Sequence, residues 1–176
     1  DWSGNLRRTI AAVAEARELG VGWLCLPELA LTGYGCEDMF LAPEVGERAL
    51  ASLAKLAPQC GGLVVAAGLP LWFEGSVHNA VAVIVDGLVE GFVAKQNLAG
   101  DGLHYEPRWF KPWPEGRVER IVFDGREVPL GDLVFDLGGV RLGFEICEDA
   151  WVADRPGTRL ARRGVDLIFN PRASHF

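Results

Sequence analysis

Three side chains in the sequence would together give a base, a cation and a nucleophile: the carboxylate of Glu28, the ammonium of Lys95 and the thiol of Cys147. Each follows a short apolar run: Glu28 comes after "WLCLP", Lys95 after "GFVA" and Cys147 after "RLGFEI". A thiol attacks as its thiolate. The chain sets Cys147 between Glu145 and Glu148, with Asp149 just behind, and neighbouring negative charge opposes loss of the thiol proton. A nucleophilic Cys147 therefore needs a base and a cation from distant sequence. Glu28 could take the proton and later return it to a leaving group. Lys95 could keep Glu28 ionised and stabilise an oxyanion. Composition alone allows plainer roles: a buried core thiol for Cys147, a cap after Pro27 for Glu28, and a solvated hairpin end for Lys95. Glu145 shares strand parity with Cys147 and is assigned no chemical role.

The elements that must bring these residues together alternate in type. Asp1 and Ser3 are caps for a helix carrying Leu6, Ile10, Val13 and Leu19, with Gly20 as its stop. "VGWLCLPE" reads as a short buried strand, residues 44–56 as an amphipathic helix closed by Pro58, and "GLVVAAGLP" as a second buried strand. "HNAVAVIVDGLVEGFVAK" is a hairpin around Asp86-Gly87. Residues 96–117, rich in Gly, Pro and Trp, read as loop. "RVERIVFDG" and "DLVFDLGGVRLGFEIC" supply further strands, "GTRLARRG" a helix and "VDLIFN" a last strand. Strands alternating with helices, interrupted by hairpins, predict an α/β layered sandwich with a mixed sheet. Strand ends are where such folds gather distant side chains.

The 176 residues, 49% hydrophobic and 23% charged, suit one folded domain. A net charge of -7 argues against a nucleic-acid surface, and Arg7-Arg8 and Arg162-Arg163 are too short to make one. Cys25, Cys36, Cys60 and Cys147 form no CxxC pair and have no His at zinc spacing, so no metal site is expected. Cys25, in an apolar run, is expected to be buried. The sequence shows neither a signal peptide nor a membrane-length apolar run, which points to a cytoplasmic protein. The start at "DWSGN" without Met and the finish at "NPRASHF" suggest a piece of a longer protein.

The segments around the three residues resemble a known family. "LCLPELALTGYGCEDMF", "AKQNLAGDGLHYEPRWFKPW" and "GFEICEDAW" are similar, in order, to the base, lysine and nucleophile segments of the nitrilase (carbon-nitrogen hydrolase) superfamily. "TGYGCEDMF", "GDGLHYEPRWFKPW" and "EICEDAW" most resemble the N-terminal glutaminase domains of glutamine-dependent NAD synthetases of the eukaryote-like type.

The resemblance implies an α-β-β-α sandwich, incomplete in this chain. One strand would precede Asp1. Further strands and an ATP-dependent synthetase domain would follow Phe176. It implies Glu28, Lys95 and Cys147 as catalytic residues and L-glutamine as substrate, with ammonia passed to the synthetase domain for conversion of deamido-NAD to NAD. No cofactor is implied for this domain; ATP and Mg belong to the synthetase domain. The intact protein would be a homo-oligomer with no nucleic-acid or membrane partner.

Less directly, the resemblance points to Glu106 as an orienting carboxylate, with a surface acid paired to Arg108 as its other reading. It points to Tyr105 near the pocket, to Glu148 as a contact for the glutamine ammonium, and to Ser174 as a substrate contact. Trp151 is expected in the core rather than the pocket wall. Arg172 stands where the family commonly has a small polar residue, and affects binding only if it points into the pocket. A stand-alone amidase or carbamoylase and a non-catalytic interaction domain are the alternatives. Retention of Glu28, Lys95 and Cys147 together argues against the latter.

Overall fold

Asp1 caps the first helix, α1 (Trp2–Glu18), its carboxylate accepting from the Gly4 N–H at 2.9 Å. Leu6, Ile10 and Val13 turn into the core, whereas Leu19 lies past the helix end and is exposed. Strand β1 (Trp23–Cys25) is followed by the second helix, α2 (Pro43–Leu56), which begins on a proline whose missing N–H costs nothing there. Next come β2 (Val64–Phe73), β3 (Ser76–Val85), β4 (Leu88–Ala94) and the one-turn helix α3 (Glu106–Trp109). The remaining elements are β5 (Val118–Phe123), β6 (Arg126–Gly131), β7 (Phe135–Leu137), β8 (Val140–Phe144), α4 (Pro156–Arg162) and β9 (Leu167–Phe169). The computed structural model describes residues 1–101 and 105–173.

The strands form two sheets, one in the order β1-β2-β3-β4-β6-β5 and the other β7-β8-β9. Pairing is mixed: β1 runs parallel to β2, β2 to β4 are antiparallel, and β8 and β9 are parallel. Side-chain alternation sorts the core. Ala80, Ala82, Ile84, Phe92 and Ala94 face α1 and α2, packing with Val13, Leu53 and Leu56. Val81, Val83 and Val93 face the second sheet, packing with Phe135, Leu142 and Phe144. On the outer side of that sheet, Gly143 lies against Leu160 of α4. The layers are therefore α-β-β-α, as expected. Fully burying each Val, Leu, Ile or Phe among them contributes roughly 1.5–3 kcal/mol, and each Ala less.

Four two-residue turns join antiparallel neighbours. Both central residues are left-handed in each: Glu74-Gly75 (φ 47 and 72), Asp86-Gly87 (48 and 84), Asp124-Gly125 (49 and 73) and Gly138-Gly139 (67 and 88). Only the second is expected from sequence. Strand β2 continues through Pro70 to the first of them, and Pro70 opposes Asn79 of β3. Strand β6 lies outside the expected elements. Its Pro129 disguises it, yet it pairs with both β4 and β5. Cys25 is half-buried rather than fully buried, and its thiol is pushed up to about 11 by what burial it has. Among the described residues, no helix is long and apolar enough to cross a membrane.

Candidate active site

The faces that meet between the sheets carry polar residues at one end. Cys25 of β1 and Val93 of β4 point between the sheets, and strand parity carries Lys95 to the same side. Glu28 sits on a turn that lies close against β2. Leu31 N–H donates to the Gly68 carbonyl at 3.1 Å, and Leu29 is left-handed at φ 53. A Cβ on Gly68 would come 2.3 Å from Leu29 N and 2.8 Å from the Pro27 oxygen. Glycine is what lets this turn approach.

Glu28, Lys95 and Glu106 are all buried, at 2%, 0% and 0% exposed. Lys95 Nζ lies 2.7 Å from Glu28 Oε1 and 2.8 Å from Glu106. Burial works against the ammonium, but the two carboxylates outweigh it and hold Lys95 above its ordinary pKa. Burial pushes the Glu28 carboxyl above its usual range; Lys95 pulls it back and Glu106 adds to the push. Glu28 is thereby more basic than a surface glutamate.

Cys147 opens a 3-10 turn (Cys147–Ala150) with a left-handed backbone, φ 49, rare for a residue with a side chain. Its N–H donates to the Pro171 carbonyl at 3.0 Å. The thiol is pushed up to about 11, by burial first and by Glu28's charge second, with Lys95 opposing. The sulfur is thus a protonated thiol beside a carboxylate that can receive its proton. Ala173 N–H donates to Glu28 Oε2 at 3.2 Å, fixing the other side of that carboxylate.

The turn is tied to the lysine strand by Asp149. Its Oδ2 accepts from Ile146 N–H at 3.0 Å. Its Oδ1 accepts from Gln96 N–H at 3.2 Å, Asn97 N–H at 2.7 Å and Asn97 Nδ2 at 3.0 Å. Burial pushes this carboxyl up to about 6 against the pull of those donors. Glu145 faces away from the thiol. It accepts from Arg155 and from Gly157 N–H, the latter at 2.6 Å, anchoring the start of α4. The left-handed turn at Cys147 breaks the strand parity that the two share in sequence.

Glu106 is no surface acid. Its Oε1 accepts from Tyr34 OH at 3.0 Å and its Oε2 from Ala99 N–H at 2.8 Å, while Arg108 pairs with Asp38 instead. Tyr105 is 62% exposed, outside the buried cluster. Trp151, expected in the core, is 68% exposed, because the turn after Ala150 carries it to the surface. Glu148 is half-buried beside Cys147, and Arg172 is exposed. Ser174 lies outside the described residues.

Sequence reasoning missed Asn79, Tyr34 and Asp149. Asn79, an amide heading the apolar run "AVAVIV", donates from Nδ2 to Glu28 Oε1 at 2.8 Å. A polar side chain at the head of a buried apolar run is the available signal. Among the described residues, no group of His, Cys, Asp and Glu side chains is arranged to hold a metal ion.

The family described as "Carbon-nitrogen hydrolase" matches residues 1–176. Glutamine-dependent NAD(+) synthetase of Drosophila melanogaster is 28% identical over 186 residues, spanning 99% of this chain and 24% of that protein. The Homo sapiens enzyme is likewise 28% identical, with 99% and 26% covered. The chain therefore spans about a quarter of the length of these curated relatives. A glutamine-dependent NAD(+) synthetase from Cytophaga hutchinsonii superposes with TM-score 0.91 at 40% identity, over 100% of this chain and 29% of that one. An amidase from Nesterenkonia shares the fold, with TM-score 0.79 at 23% identity over 100% of this chain and 61% of that one. With its whole length matched and its sandwich shared, this chain belongs to the carbon-nitrogen hydrolase family.

Proposed function

We propose that the chain is the glutamine-hydrolysing part of a glutamine-dependent NAD synthetase, releasing ammonia for the ATP-dependent conversion of deamido-NAD to NAD. The observation that carries this reading is the buried contact of Lys95 with Glu28 and Glu106, with Glu28 and Lys95 both acting electrostatically on the Cys147 thiol. Likeness to NAD synthetases along the whole chain supplies the substrate.

In the first half-reaction Cys147 Sγ attacks the side-chain amide carbon of glutamine as its proton passes to Glu28. Lys95 stabilises the oxyanion of the tetrahedral intermediate. Glu28 returns the proton to the nitrogen, the C–N bond breaks, and ammonia leaves behind a γ-glutamyl thioester. In the second, Glu28 takes a proton from water, which attacks the thioester carbon. Glutamate leaves and Sγ regains a proton. The raised basicity of Glu28 suits both transfers. Glu106 acts through Lys95 by holding its ammonium. Glu148, half-buried and next to the nucleophile, receives the α-ammonium of glutamine.

The synthetase domain of the same protein is the partner that receives the ammonia, and ATP and Mg act there. The test is glutamine hydrolysis by the full-length protein, assayed with and without deamido-NAD and ATP. Turnover that rises when both are added supports the reading. Hydrolysis of other amides in preference to glutamine would favour a stand-alone amidase.

A further inference from the structure

The face of β3 between the sheets is apolar at Val81 and Val83 and then becomes polar at Asn79, which is 1% exposed. Asn79 Nδ2 donates to Glu28 Oε1 at 2.8 Å and lies 3.4 Å from Glu106 Oε1. Lys95 Nζ contacts the same two oxygens. The backbones are locked as well, with Lys95 N–H donating to the Asn79 carbonyl at 2.9 Å.

The amide orientation follows from chemistry. Turned over, its Oδ1 would face two carboxylate oxygens. In the orientation adopted, Oδ1 is buried and without a hydrogen-bond partner among the described residues. A buried unpaired acceptor is destabilising, and an apolar residue of similar size would avoid it. What the amide contributes is therefore its donor.

The charges explain why a neutral donor fits. Glu28, Glu106 and Lys95 enclose two potential negative charges and one positive one. A second cation would quench Glu28 as a base, whereas an apolar residue would leave the carboxylates facing each other with only Lys95 between them. An amide stabilises the ionised carboxylates without adding charge.

We propose that Asn79 is a positioning residue: its amide holds Glu28 and Glu106 on either side of Lys95 and keeps Glu28 ionised to accept the Cys147 proton. This rests on the glutaminase reading above. Loss of the donor raises the pKa of Glu28 further, in keeping with the lowering that Asn79 exerts on it.

The experiment compares Asn79→Ala and the isosteric Asn79→Asp with wild type in the full-length protein. Three readouts are taken: kcat and KM for glutamine across pH, thermal unfolding, and the pH dependence of Cys147 alkylation by iodoacetamide. Expected is a kcat loss of about 10- to 100-fold with KM nearly unchanged, and an acidic limb of the rate profile displaced to higher pH. A lower melting temperature with wild-type kcat and an unshifted profile would overturn the proposal. Should Asn79→Ala not fold, the same criteria apply to Asn79→Asp. If the wild-type protein proves inert toward glutamine, the functional reading fails and alkylation tests Asn79 by itself. An alkylation profile displaced to lower pH, because a less ionised Glu28 opposes the thiolate less, then supports the positioning role, and coincident curves overturn it.

Discussion

Lys95 Nζ sits 2.7 Å from Glu28 and 2.8 Å from Glu106, with all three side chains sealed from solvent. Buried ions tolerate this only while each has its partners. Lys95→Met should therefore leave two uncompensated carboxylates and destabilise the domain by about 3–5 kcal/mol, read as a fall in the urea midpoint. It should also abolish glutamine turnover. A variant as stable as wild type would show that the carboxylates are not both ionised.

Glu28→Gln should separate thiol reactivity from catalysis. After burial, the charge of Glu28 is the largest influence raising the Cys147 thiol to about 11. Removing that charge lowers the thiol pKa, so the thiolate becomes available at lower pH. Alkylation by iodoacetamide should accelerate on the alkaline side of neutrality while glutamine hydrolysis is lost. Slower alkylation together with lost hydrolysis would contradict the charge assignment.

Gly68→Ala should displace the Glu28 turn without touching a polar residue. Its methyl would stand 2.3 Å from Leu29 N, and overpacking of this kind costs roughly 1–3 kcal/mol. The expected outcome is a folded, less stable protein whose kcat falls more than its KM rises. Unchanged kcat would mean that the turn can shift and Glu28 still reach Cys147.

Glu148→Gln should weaken glutamine binding more than it slows chemistry. Steady-state kinetics should show a raised KM with kcat within a few-fold of wild type. A pure kcat effect would remove the ammonium contact from the account.

How far the sequence reveals this arrangement depends on the kind of signal involved. Strand ends at Lys95 and Cys147 were legible because apolar runs stop there. The hairpin at Asp86-Gly87 was legible because few dipeptides accept two left-handed residues. Glu74-Gly75 makes an equivalent turn that went unread because Pro70 closed the expected strand too early. Burial of polar groups was harder to read. Glu106 lies in a Pro- and Trp-rich segment that looks exposed, and only the three-dimensional approach of Lys95 and Tyr34 explains why it is buried. Trp151 misled in the opposite sense, since hydrophobicity says nothing of the turn that carries it outward. Asn79 and Asp149 act through hydrogen bonds to residues about 50 positions away, which no local pattern encodes.

The central claim is that Cys147 takes ammonia from glutamine for use elsewhere in the same protein. The most direct measurement is NAD formation by full-length Cys147→Ala, with glutamine and with ammonium salts as alternative nitrogen sources. The account predicts no synthesis from glutamine and wild-type synthesis from ammonia. Retained glutamine-driven synthesis would contradict it.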